Sequence, residues 1–264
     1  MKSKKLIIFF CILVFLTVLA VLSSTLFTLQ NISVNWMTTK HKLSTVKDDE
    51  LTKNITLGKS IFLIDKDTIT SNLEKKYPYI RIVGIETKFP NKLVIHVVER
   101  EVLFAVKKSD NDYALLDEYG KVLDENKTFD SVTSTHSLGS NPIKVDFLSL
   151  ALKNEDFVAG EIVKVGKVES IIKKLAYSFK ESNYNVTTSK GVFSHIEILS
   201  NGETENVKII TRRDIVINLK DAEVETTQKL LLGLARYNEI HQQGIIDYEI
   251  EVKHDEKTGE IKAS

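Results

Sequence analysis

Cysteine, proline and tryptophan are scarce in this chain: 264 residues hold one cysteine, three prolines and one tryptophan. The cysteine, Cys11, stands inside an apolar run, so everything after it lacks a thiol. That excludes disulfides, a cysteine metal site and a thiol nucleophile from the rest of the chain. With 11 scattered glycines and no proline-rich or glycine-serine stretch, no flexible linker divides it, so a boundary between folded units is expected to be stiff. Neither sign of charge is in excess, with lysine plus arginine and aspartate plus glutamate at 36 each. Such balance provides no field for nucleic acid or a polyacidic substrate and points to neutral, protein-like partners. No period of about 20–50 residues recurs, which argues against a solenoid.

The motifs of catalysis are missing as well. The six histidines, His41, His96, His136, His195, His241 and His254, are scattered, and no pair stands at the spacing that places two metal ligands on one helix face. His96 alternates with Val94 and Val98 and reads as a strand-face residue. A Gly-x-Ser-x-Gly elbow and both glycine-rich phosphate loops are absent; "LGKS" at 57–60 has the ending of a phosphate loop without its upstream glycine. Carboxylate pairs that could cut a glycan exist at Asp65 with Asp67, Glu99 with Glu101 and Asp117 with Glu118. Among 36 acids such pairs arise freely, and no aromatic cluster marks a sugar cleft around them. The expectation is therefore no catalytic residue, no cofactor and no metal.

What the chain does have begins at its start. Lys2, Lys4 and Lys5 precede "LIIFFCILVFLTVLAVLSSTLFTL" at 6–29, and no charge returns until Lys40. That uncharged run of 24 residues exceeds the roughly 20 needed to cross a bilayer. A cleaved signal peptide has a shorter apolar core, about 7–15 residues, and a small-x-small site that "VLSST" supplies poorly. An uncleaved anchor is expected, with residues 1–5 in the cytoplasm and the chain beyond about residue 30 outside.

The exterior part opens with a short strand, "NISVNW", and a helix in "KDDELTKNIT" whose first turn is acidic, as the positive end of a helix dipole favours. Asp67 stands where it can cap a second helix, which Pro78 stops. Two segments of strand period, 80–89 and 91–100, follow across a Pro90-Asn91 turn. From Glu101 the pattern becomes short strands and turns, with an Asn201-Gly202 hairpin signal in "SNGE". Two helices interrupt them, one over 168–179 with Val168, Ile171, Ile172, Leu175, Ala176 and Phe179 on one face, the other over 224–240. "IIDYEIEV" closes as a strand, and the charged tail at 254–264 is able to pair as a hairpin over Thr258-Gly259. The fold class is α+β: a single N-terminal membrane helix at 6–29, a small unit at 30–100, and a larger β-rich domain with two helices at 101–253.

Taken together, the basic tail, the apolar helix, "ISVNW", "LGKSIFLIDKDTITSNLEKKYPYI", "IETKFPNKLVIHVVERE" and "YALLDEYGKVL" resemble the FtsQ/DivIB family of bacterial cell-division proteins. The likeness rests on Gly58 with Ile61-Phe62, Pro78, Pro90 to Arg100, and Asp117 to Leu123, in matching order over about 95 residues. It implies that residues 30–100 form a POTRA domain and that the protein is a non-enzymatic scaffold between the membrane and septal wall synthesis. Its partners would be small coiled-coil membrane proteins of the FtsB/DivIC and FtsL kinds. In the family a partner adds a strand to the last strand of the β domain. Here that strand reads as 246–252, with Tyr248, Ile250 and Val252 as the partner-binding residues. The alternatives are a POTRA-bearing envelope assembly or transport factor and an anchored wall-cutting enzyme using Glu99 or Asp117.

In "KFPNKLVIHVVERE", alternation puts Glu99 with Leu93, Ile95 and Val97, and Arg100 with Val94, His96 and Val98. Side chains on opposite faces cannot form one catalytic pair. They are expected to act as separate anchors on either side of a stiff domain joint.

Overall fold

A computed structural model of the chain describes residues 2–37, 46–128, 141–200, 205–222, 225–255 and 258–264. The Asn201-Gly202 turn, His41 and His136 lie outside the described residues. The chain divides into two compact units, Met1–Arg100 and Glu101–Ser264.

The first unit begins with α1 (Lys2–Leu26). Side chains in α1 are described at 8–19, 21 and 26, and these are exposed and apolar apart from Thr17. Among the described residues no helix is long and apolar enough to cross a membrane. After it come β1 (Asn31–Trp36), α2 (Asp48–Thr52), a 3-10 turn at Ile61–Leu63, α3 (Lys66–Lys76), β2 (Ile80–Lys88) and β3 (Lys92–Glu99). The sheet order is β1-β3-β2. β2 and β3 pair antiparallel through their short turn, whereas β1 runs parallel to β3, and the chain between them carries α2 and α3 as the crossover. Their apolar faces meet in a core of Leu29, Leu51, Leu73, Ile80, Leu93, Ile95 and Val97. Each such residue, taken wholly out of water, contributes about 1.5–3 kcal/mol before the entropy of ordering is subtracted.

The cap of α3 differs from expectation. Asp65, not Asp67, holds the N-cap, its carboxylate accepting from the Thr68 N–H at 3.0 Å and from the Thr68 hydroxyl at 2.7 Å. Those bonds hold the Asp65 carboxyl below its ordinary range. At the other end, the Tyr77 N–H closes the helix on the Leu73 carbonyl just before Pro78.

The second unit is built on one nine-stranded sheet, ordered β12-β11-β10-β9-β8-β7-β4-β5-β6. Its strands are β4 (Phe104–Ser109), β5 (Asp112–Leu116), β6 (Val122–Lys127), β7 (Ile143–Phe147), β8 (Phe193–Ser200), β9 (Glu205–Thr211), β10 (Val216–Leu219), β11 (Glu249–His254) and β12 (Ile261–Ala263). α4 (Gly166–Glu181) and α6 (Thr226–Gln242) pack on each other, and their buried residues join the sheet's apolar residues in one core. α4 buries the face expected of it, Val168, Ile171, Ile172, Leu175, Ala176 and Phe179. The mixed α+β class with a large β-rich part therefore holds.

Two elements within 125–220 were not expected from the sequence. β7 is a five-residue strand that sits centrally, parallel to both β4 and β8. α5 (Val186–Val192) is a third helix in the β-rich part, short and poor in strong helix formers. Asn185 starts it, accepting the Thr188 N–H at 2.9 Å. The strand expected at 246–252 is also displaced and runs Glu249–His254, because Gly244 and Asp247 take positive φ and turn the chain ahead of it.

Candidate functional site

A sheet that does not close on itself leaves its two outermost strands with backbone groups facing outward, and such an edge can accept a strand from another chain. In the second unit those strands are β6 and β12. β6 is bonded from outside at its first residue: the Val122 N–H bonds the Glu161 carbonyl and the Gly160 N–H bonds the Val122 carbonyl, while Lys121 just before it bridges Ile162. β12 has a neighbour only on its inner side among the described residues.

β12 arises because the tail turns back on β11. The turn is closed by Asp255, whose N–H bonds the Glu260 carbonyl and whose carbonyl accepts the Gly259 N–H, with Gly259 at φ +70°. Lys262 Nζ pairs with Asp255 Oδ2 at 2.7 Å. The ladder sets Val252 opposite Ala263, Lys253 opposite Lys262 and His254 opposite Ile261, and Glu251 and Ser264 exchange both backbone bonds at 3.0 Å. Residues 262 and 264 thus bond inward, and the alternation of an antiparallel ladder turns the backbone groups of Ile261 and Ala263 outward. Their side chains rest half-buried on the core, while Lys262 is exposed.

This geometry bears on the residues expected to bind a partner. Ile250 and Val252 are wholly buried in the core, and β11 is hydrogen-bonded on one side to β10 and on the other to β12. Their side chains cannot meet a visiting strand, and their backbone is already taken. Tyr248 lies just outside the strand, partly exposed, its carbonyl accepting the Val216 N–H at 2.8 Å. The edge available for strand addition is therefore Ile261 to Ala263. A signal for this was present in the Thr258-Gly259 turn, since a hairpin there makes the tail the outermost strand.

The residues expected at a domain joint are placed as follows. Arg100 is buried, its guanidinium donating to Glu74 Oε2 at 2.8 Å and to the Ile80 carbonyl at 3.0 Å, both within the first unit. Glu99 is half-buried at the end of β3, opposite Ile80.

Of the acids in the carboxylate pairs, Asp65 caps α3. Asp117 Oδ1 accepts the Tyr119 and Lys121 N–H groups, both at 2.9 Å, which binds it into the turn at Gly120. His96 Nδ1 is 3.1 Å from Asn35 Nδ2 on the neighbouring strand, as a strand-face residue would be. His195 sits 3.2 Å from Asp146 Oδ2 and 3.9 Å from Glu197 Oε1, a charged row set by the β7–β8 register. Among the described residues no group of three or more histidines, cysteines or acids could hold a metal ion.

A cleft of about 410 Å³ in the second unit is lined by Glu101, Leu103, Phe179, Tyr184 and Ser189, among others. Burial pushes the Tyr184 phenol up to about 12, and burial also lowers the Lys190 amine, against which Glu101 acts weakly at 3.9 Å. These groups form no nucleophile and base pair; Tyr184 donates its hydroxyl to Asn238.

Comparison with known proteins gives two results. Residues 40–100 match the model of the FtsQ-type POTRA domain. The chain is also similar to cell division protein DivIB of Clostridium botulinum strain Hall, 34% identical over 126 residues, which is 48% of this chain and 47% of that protein. It is 27% identical to DivIB of Clostridium tetani over 187 residues, 66% of this chain and 63% of the relative. With DivIB of Clostridium acetobutylicum it shares 28% over 144 residues, 54% and 53% of the two chains. The chain thus spans about half to three-fifths of the length of these relatives.

Proposed function

We propose, from an FtsQ/DivIB resemblance that both the POTRA match and the DivIB relatives uphold, that this chain acts in bacterial cell division as a non-enzymatic scaffold. In this reading the apolar run at 6–29 anchors it, residues 1–5 face the cytoplasm, and both folded units stand outside the membrane at the septum. Three lysines before the run and none just after it support that orientation. The second unit offers the β12 edge to a strand from a small coiled-coil membrane protein of the FtsB/DivIC or FtsL kind. Holding such partners helps couple septal peptidoglycan synthesis to division.

The observation that carries this reading is the FtsQ-type POTRA domain at 40–100 in a chain whose curated relatives are DivIB proteins. The β12 edge, which has no outer neighbour among the described residues, supports the binding mode. A fluorescent fusion of the full chain tests the role: it should collect at mid-cell, and depletion should give filaments or failed septa. Diffuse envelope fluorescence with normal division would instead fit an envelope assembly or transport factor.

A further inference from the structure

Phe27, Phe62 and Phe89 come from three separate places in the first unit, the residue after α1, the 3-10 turn and the β2–β3 turn. Their rings nevertheless form one cluster, with centroids 5.4 Å apart for Phe27 and Phe62, 5.5 Å for Phe62 and Phe89, and 6.3 Å for Phe27 and Phe89. Backbone bonds fix the three places to one another. The Ile61 N–H bonds the Phe27 carbonyl at 2.7 Å, the Gly58 N–H bonds the Leu29 carbonyl at 2.9 Å, and the Gln30 N–H bonds the Asn91 carbonyl at 3.0 Å.

This cluster is no part of the core. Phe62 and Phe89 are each 63% exposed, Leu63 is 79% exposed and Leu57 54%. Exposed apolar side chains held in this way by backbone bonds mark a surface that something else covers. Its place in the chain indicates what: Phe27 directly follows Leu26, the last residue of the apolar helix, and one residue spans at most about 3.6 Å. The polar layer on each side of a bilayer's hydrocarbon core is about 5–8 Å deep, so rings this close to the helix end are at its level.

The charges nearby fit the same surround. Exposed Lys59 stands just before the 3-10 turn, and exposed Lys88 and Lys92, at the ends of β2 and β3, face each other across the turn that carries Phe89. Like charges directly opposite disfavour a strand pair in water, and Glu86, 3.7 Å from Lys88, offsets only part of this. Anionic headgroups would offset the rest.

We infer that Phe27, Phe62 and Phe89, with Leu57 and Leu63, form an interfacial foot that sits in the headgroup layer of an anionic bilayer and seats the POTRA unit on the membrane. The inference rests on the reading of α1 as an anchor. Aromatic rings at the foot of a domain restrict its tilt, since lifting it re-exposes them to water.

The full chain in protein-free vesicles of phosphatidylglycerol and phosphatidylcholine tests it. The variant carries Trp36→Phe to remove the native fluorophore and Phe62→Trp to report on the foot. Lipid brominated near the glycerol end of its acyl chains should quench the introduced indole by about half or more, as expected for a ring at the interface. Native Trp36, bonded to Asp48 in the unmodified chain, is the reference for an unseated position. Flotation separates the two readings. If the chain floats with the vesicles and the introduced indole is quenched no more than Trp36, the foot is overturned and the anchor stands. If the chain does not float, both fail. Quenching in protein-free vesicles assigns the patch to lipid and not to a protein partner.

Discussion

Arg100 and Glu74 form a buried ion pair, Nη2 to Oε2 at 2.8 Å, with side chains 7% and 13% exposed. Glu74 uses its other oxygen to accept the Ile82 N–H at 2.8 Å, and Arg100 adds Nε to the Ile80 carbonyl. One carboxylate and one guanidinium thereby tie α3 to β2 and to the chain leaving β3. This places the arginine of "VVERE" inside the first unit.

Arg100→Ala should destabilise the first unit by about 3–5 kcal/mol, because it takes the guanidinium away from the largely buried Glu74 carboxylate and from the Ile80 carbonyl. Denaturant unfolding of the full chain in detergent, followed by Trp36 fluorescence, measures it. A purely joint-forming Arg100 would instead leave the unfolding midpoint unchanged and broaden the small-angle scattering profile.

Gly233 lies in the middle of α6 where a Cβ would come 2.8 Å from Ile217 Cγ2 and 3.2 Å from Val252 Cγ2. Both are methyls on buried, β-branched side chains that cannot swing away. Gly233→Val should cost about 1–3 kcal/mol through overpacking, despite the gain of replacing a glycine within a helix. Thermal unfolding of the second unit within the full chain reads this out; an unchanged or raised midpoint would show that α6 rides further from β10 and β11.

Tyr184 is held protonated to about 12, chiefly by burial, against an ordinary 10.0. Its folded value exceeds its unfolded one, so its contribution is fully present below pH 10 and is lost as pH rises through 12. The second unit should lose stability across that window. Tyr184→Phe keeps the edge contact to Phe193, whose centroid is 5.3 Å away, but removes the titrating group. The stability of this variant should fall less steeply between pH 10 and 12, as checked by unfolding at a series of pH values.

Much of this fold was legible in the sequence because neighbours along the chain decide it. Alternation in "IRIVGIETKF" and "NKLVIHVVER" around Pro90-Asn91 specifies a hairpin, and the spacing from Val168 to Phe179 specifies one buried helix face. The shortfalls arise where distant parts of the chain decide. β7 alternates Ile143, Val145 and Phe147 inward over only five residues, too few to read without the strands on either side. α5 exists through one cap and its packing. Asp65 and Asp67 are both capable caps, and the helix start selects the first. Alternation along β3 assigns Arg100 a face but does not show Glu74 arriving from α3. Reading β11 as the last strand overlooked that its own hairpin partner takes the edge, which is why Ile250 and Val252 proved to be core.

The claim that the second unit holds a partner by strand addition at β12 is tested most directly by crosslinking in living cells. A photoreactive residue replaces Lys262, exposed on β12, in a full-length chain that supports division. The account predicts an adduct with a small single-pass coiled-coil membrane protein of the FtsB/DivIC or FtsL kind, and no such adduct from the same residue at Lys121, where the β6 side of the sheet is bridged by Ile162. An adduct of equal strength from Lys121, or none from Lys262, would contradict it.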